Sequence, residues 1–212
     1  MTAKTSDPLA ANLDRRQLLM RAFFGSVGAA TGLAALPSDA EASDRRRVVF
    51  DLAILGQAFT VILAPGATLA DPNNLFGSTI VGEGLLYSGG TIPRGAMNWD
   101  PASATPIGHW FIRGVFITRS GRPGEEDRTD PAGIGLSEFV IGRITPDNPF
   151  PADQLTTSGL ASPTTTRGRN SVVGGTGRYF GARGEVFFAN IGSNITGVPN
   201  FAFDFRLEKR DS

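Results

Sequence analysis

The sequence predicts an all-β protein, either a closed antiparallel barrel or a sandwich. Three observations carry this. Glycine and proline are abundant, 27 and 14 of 212 residues, and both punctuate strands rather than build helices. Clusters of Leu, Lys and Glu at helical period are few. Short runs rich in Val, Ile, Phe and Thr recur along the chain, each bounded by Gly, Pro, Asn or Asp.

Taken in order, the expected strands are 48–55, 57–63, 78–87, 110–118, 136–145, 154–160, 169–173, 184–190 and 200–208. Gly56 separates the first two, and Ser88-Gly89-Gly90 closes the third. Three connections are long: 63–77, 88–109 and the charged 119–133. Long ordered loops on a barrel rim its mouth. The stretch 158–169 is rich in Ser, Thr and Pro and reads as a further loop. No internal repeat is present.

The N-terminus is a targeting segment. Asp14-Arg15-Arg16-Gln17-Leu18-Leu19 has the twin-arginine export pattern. A mild apolar run over 22–36 comes next, too short to span a bilayer comfortably. Ala40-Glu41-Ala42 then offers a small-x-small cleavage site before Ser43. The expected division is a signal segment, 1–42, and one domain, 43–212, periplasmic or secreted. The export machinery is then its first partner.

Formal net charge is zero, so no electrostatic hold on nucleic acid is expected. Arg45-Arg46-Arg47 reads as a solvated strand end. The chain has no cysteine, which excludes disulfides, thiolate catalysis and cysteine-ligated metal. His109 is the single histidine and makes a poor metal site. No cofactor motif is present, and neither a cofactor nor a metal is expected.

The run from Val172 to Gly184, V-V-G-G-T-G-R-Y-F-G-A-R-G, admits two readings. A nucleotide loop needs a helix after the glycines. Here the glycines lead into Glu185-Val186-Phe187-Phe188-Ala189, rich in β-formers, and their spacing fits neither G-x-G-x-x-G nor the P-loop. The run therefore reads as a tight reversal between two strands.

In that form it resembles the signature of the allene oxide cyclase and dirigent-like barrel family, whose members carry a similar G-G-T-G-x-[FY]-x-x-A-R-G turn. The similarity extends more weakly to Gly77-Ser78-Thr79-Ile80-Val81-Gly82-Glu83-Gly84-Leu85-Leu86-Tyr87 and to Phe201-Ala202-Phe203-Asp204-Phe205-Arg206-Leu207. The resemblance implies a closed antiparallel eight-stranded barrel with a cavity, and a homotrimer. It also implies a function: to bind a small hydrophobic reactive molecule and direct its cyclisation or coupling. The alternatives are a lipocalin-like carrier and a structural or interaction barrel.

Several residues are candidates for the site. Among allene oxide cyclases a glutamate on an early barrel strand steers charge, and Glu83 resembles it; the other reading is a solvent-facing glutamate. Arg113 either sits inside, paired with Glu83, Glu138 or Asp204, or lies outside while Trp110 fills the core. Dirigent pockets use acidic residues, with Asp51 and Asp204 as analogues here. Tyr179 either lines the pocket or packs under the turn. Arg183 is expected to tie the turn formed by Gly174, Gly175, Thr176, Gly177 and Gly184 to backbone carbonyls or a carboxylate. Asn194-Ile195-Thr196 fits a glycosylation pattern or a plain turn.

Overall fold

The computed structural model describes residues 45–68, 75–117, 132–161 and 167–208. The export pattern, the cleavage site and most of connection 119–133 lie outside the described residues.

Among the described residues ten strands form one sheet: β1 (Arg45–Ile54), β2 (Thr60–Ile62), β3 (Thr79–Ser88), β4 (Ala96–Trp99), β5 (Gly108–Phe116), β6 (Gly133–Ile141), β7 (Asp153–Ala161), β8 (Arg167–Thr176), β9 (Gly184–Asn194) and β10 (Pro199–Glu208). Eight of them close an antiparallel barrel in the order β1-β10-β9-β8-β7-β6-β5-β3, with β3 returning to β1 through Phe50↔Ser88 to Ile54↔Gly84. Closure removes the open edges that a flat sheet would expose.

Two strands lie off this ring. β2 pairs with the first half of β3 (Ile62↔Thr79), while β1 pairs with its second half. β1 and β2 thus follow one another along the same side of β3, interrupted by the 3-10 turn Gly56–Ala58. That turn shortens expected strand 57–63 to three residues. β4 lies in connection 88–109, read as a loop from sequence, and pairs in parallel with β9 through Ala96↔Gly192 and Trp99↔Asn194. Its short run, Ala-Met-Asn-Trp, is held by tertiary pairing rather than by propensity.

Connection 88–109 is a strap over the outer wall. Ile92 and Pro101 are buried under it with Tyr87, Ile191 and Ala202. The Tyr87 hydroxyl donates to Pro101 O at 2.8 Å, and its ring meets Trp99 edge-on at 5.1 Å. Burial, with the nearby Asp100 charge, pushes the Tyr87 phenol up to about 12, so it remains a donor.

Asp51 anchors the strap from below. It is fully buried on the outer side of β1, and its Oδ2 accepts from Ile92 N at 2.9 Å. Burial raises its carboxyl above the ordinary 3.8, against the lowering effects of the Ile92 N–H and Arg94. A raised folded-state value means that the folded chain binds the proton more tightly than the unfolded one. Asp51's contribution therefore improves as pH falls toward 3.8 and weakens as pH rises through the folded value. Asp51→Ala is expected to cost about 1–3 kcal/mol by orphaning the Ile92 N–H. Urea unfolding should show a larger penalty near pH 4 than at pH 7; an equal or reversed penalty would contradict the burial argument.

The reversal after β8 consists of one 3-10 turn, Gly177–Tyr179, and a short bend before β9. An extended strand, not a long helix, continues from the corner. Arg183 Nη1 donates to Val173 O at 2.6 Å and to Ala182 O at 2.9 Å. Tyr179 is buried in the barrel core, with Arg46 and Arg178 over its ring at 5.1 and 5.4 Å. This turn closes one end of the barrel. The basic run is also not merely solvated: Arg46 covers Tyr179, and Arg47 pairs with Asp204.

Candidate functional site

Along each barrel strand successive side chains alternate between inner and outer walls. The main core cluster fixes the phase. Phe50 and Leu52 on β1, Leu86 on β3, Trp110 on β5, Phe139 on β6, Leu155 on β7, Val186 on β9 and Phe205 on β10 all belong to it and face inward.

The two halves of the barrel differ. Near the Tyr179 end the interior is filled: Phe139 is fully buried, with ring centroids 4.9 Å from both Phe203 and Phe205 and 6.5 Å from Phe50. Toward the other end Phe59, Ile112 and Phe201 pack on the core but are only half-buried. Inward positions here are small on five neighbouring strands: Gly82, Gly114, Gly135, Gly159 and Gly168. Two of these glycines admit rings. A methyl at Gly82 would lie 2.7 Å from Phe59, and one at Gly168 would overlap Phe188. Gly135 differs, because a methyl there would find nothing closer than Arg113 O at 3.5 Å.

The open half is thus two-sided. Phe188, Phe201 and Phe203 supply an aromatic wall from β9 and β10, with centroids 5.8–6.3 Å apart. The opposite wall carries Ser137 and Thr157, buried and directly paired across β6 and β7. Ile112 is paired with Ser137 on the next strand. Flat apolar molecules suit such rings, and hydroxyls fix their orientation.

The charged candidates lie elsewhere. Glu83, Arg113 and Glu138 alternate with inward residues and stand on the outer wall of β3, β5 and β6. Glu83 Oε1 is 3.1 Å from His109 Nδ1, with side chains 36% and 24% exposed, and His109 stacks on Phe111 at 6.1 Å. The glycines beside Glu83 lie on the face opposite to it, where Phe59 and Leu52 take up the room they leave. Trp110 is in the core and Arg113 is exposed. Asp51 lies under the strap. Asp204 is buried against the outer wall, where Oδ1 accepts from Arg47 Nε at 2.9 Å and Oδ2 is 3.7 Å from Arg206. Of the proposed site residues only Tyr179 is inside, at the filled end. Glu83, Arg113 and Glu138 share one patch; Asp51 and Asp204 belong to another.

Asn194 is fully buried. Its Nδ2 donates to Ile54 O and to Asn200 Oδ1, while its Oδ1 accepts from Thr196 N at 2.9 Å. It locks the β9–β10 turn and has no free amide for a glycan. Beside this turn a groove of about 520 Å³ runs along the outside of the barrel, between Leu55, Leu85, Pro101 and Ile195.

Sequence reasoning missed the inner polar pair and the aromatic wall. The signal was present in alternation: Ser137 shares a face with Phe139 and Ile141, and Phe201 shares one with Phe203 and Phe205.

No family model matches the chain, and no curated protein matches it. Solved structures do. The barrel is similar to that of dirigent proteins. The pterocarpan synthase dirigent protein PsPTS1 is 14% identical with a TM-score of 0.53, over 81% of this chain and 99% of that one. The pterocarpan synthase dirigent protein GePTS1 is 12% identical with a TM-score of 0.51, over 82% of this chain and 96% of that one. At such identity the likeness is one of fold: the chain has a closed barrel similar to theirs.

Proposed function

We propose that this chain binds a small, largely apolar reactive molecule in the open half of the barrel and directs its cyclisation or coupling. The two-sided inner wall carries the reading. Rings on one side and hydroxyls on the other hold a flexible molecule in one conformer, which lowers the entropic part of a ring-closure barrier. The dirigent-like fold is compatible with it.

One observation favours a second reading, carriage without chemistry. Among the described residues, the side chains that face inward in this half are apolar or neutral. Charge stabilisation by Glu83, on the outer wall, has no direct route to a ligand there. Turnover of a bound precursor separates the two readings.

Gly135→Leu tests the location. The leucine would extend into the open half, and Gly135 has no left-handed backbone to strain. Binding of N-phenyl-1-naphthylamine, read by fluorescence, should weaken at least about tenfold, which is about 1.4 kcal/mol. The melting temperature should stay within a few degrees. Undiminished binding would place the site elsewhere.

Export and assembly belong to the same proposal. The Arg15-Arg16 pattern supports export, and mass spectrometry of the exported protein should find Ser43 at its N-terminus. Val115, Ile134 and Leu160 form an exposed apolar row across β5, β6 and β7, which supports self-association; the trimer itself is implied only by the family resemblance, and sedimentation velocity tests it.

A further inference from the structure

We infer that the Trp110 indole N–H holds an oxygen acceptor of the bound molecule, so that the ligand is an apolar ring compound bearing a carbonyl or ether oxygen. This rests on the proposed ligand site in the barrel.

Trp110 is 4% exposed and belongs to the inner core. Its register neighbours are Gly84 on β3 and Phe139 on β6, and the next inward residue of β5 is Ile112, opposite Ser137. It therefore stands where the filled half gives way to the open one. Its Nε1 is buried with no acceptor among the described residues. An indole nitrogen can only donate, and a buried donor left without an acceptor is destabilising. A phenylalanine would fill the position without that cost.

The surroundings select the acceptor. Phe139 and Gly84 offer no side-chain acceptor. Among the described residues no cation faces inward beside Trp110, so a carboxylate would be desolvated there without compensation. A neutral ketone or ether oxygen matches a lone neutral donor. Ser137 and Thr157, one step toward the open half, remain for a second polar group of the ligand.

The test uses 1-tetralone and tetralin, which share a shape but differ by the ketone oxygen. The chain has two tryptophans, so ¹⁵N-labelled protein shows two indole cross-peaks. Trp99, outside the barrel against Tyr87, is the internal reference. The expected result is that tetralone binds about tenfold tighter than tetralin and moves the Trp110 N–H peak downfield, leaving Trp99 unmoved. Trp110→Phe should bind both compounds equally. Should that variant fail to fold, the two-ligand comparison in the unaltered protein decides. Equal affinities there, or an unmoved Trp110 peak under saturating tetralone, overturn the inference while leaving the ligand site standing. If neither compound binds, the inference and the ligand site both fall.

Discussion

Phe139→Ala is expected to lower the unfolding free energy by about 3–5 kcal/mol. Phe139 has no exposed surface and touches three other phenylalanine rings drawn from β1 and β10. It is the point where facing walls of the barrel meet. Removing the ring loses its burial and leaves a hole that the closed sheet cannot collapse to fill. For a domain of this size the melting temperature should fall on the order of 10 °C. Val173→Ala, on β8 and 41% exposed on the outer wall, should stay within about 0.5 kcal/mol. Thermal unfolding followed by near-ultraviolet circular dichroism compares the two. Similar losses at both sites would show that the filled half is not the stability core.

Gly184→Ala should be comparably damaging, costing at least about 2–3 kcal/mol. Gly184 opens β9 with φ +135°, in a region that side-chain-bearing residues rarely enter. A Cβ there would be driven into the backbone carbonyl of Arg206 on β10. Both strands are fixed by closure, so neither can give way. Gly174, in the same motif, behaves differently: its nearest neighbour to an added methyl is Arg183 Nη1 at 4.0 Å. Gly174→Ala should therefore be tolerated within about 0.5 kcal/mol. Urea midpoints for the pair are the measurement, and equal losses would refute the distinction.

Much of the fold was legible in particular residues. The segments 48–55, 78–87, 154–160, 184–190 and 200–208 fall on strands of the structure to within a residue at each end, and 110–118 does so as far as Phe116, because β-branched and aromatic runs between turn residues act locally. Boundaries were less legible. The expected strand 136–145 ends at Ile141, since Gly142 takes φ +124° and turns the chain. The expected loop 158–169 is shorter than its Ser/Thr/Pro content implied, because β7 runs to Ala161 and β8 starts at Arg167. Pairing in register with β6 and β9 extended both strands past what their propensities would support.

The site was less legible than the fold. Glu83, Arg113, Glu138, Asp51 and Asp204 attract notice because a charge in an apolar strand demands a partner. For three of them the structure supplies partners on the outer wall: His109 for Glu83, arginines for Asp204 and a strap backbone for Asp51. Ser137, Thr157 and Trp110 carry no such demand in sequence, and only their common inward direction sets them apart.

The amino-acid sequence by itself determined the β class, the approximate succession of strands and the reversal between Val172 and Gly184. Those are matters of local propensity and turn chemistry. It left open which face of each strand turned inward, because a period of two has two equivalent phases. Closure of β3 onto β1 and the strap over Asp51 chose between them. That choice put the carboxylates outside and left phenylalanines, hydroxyls and one indole N–H to line the interior.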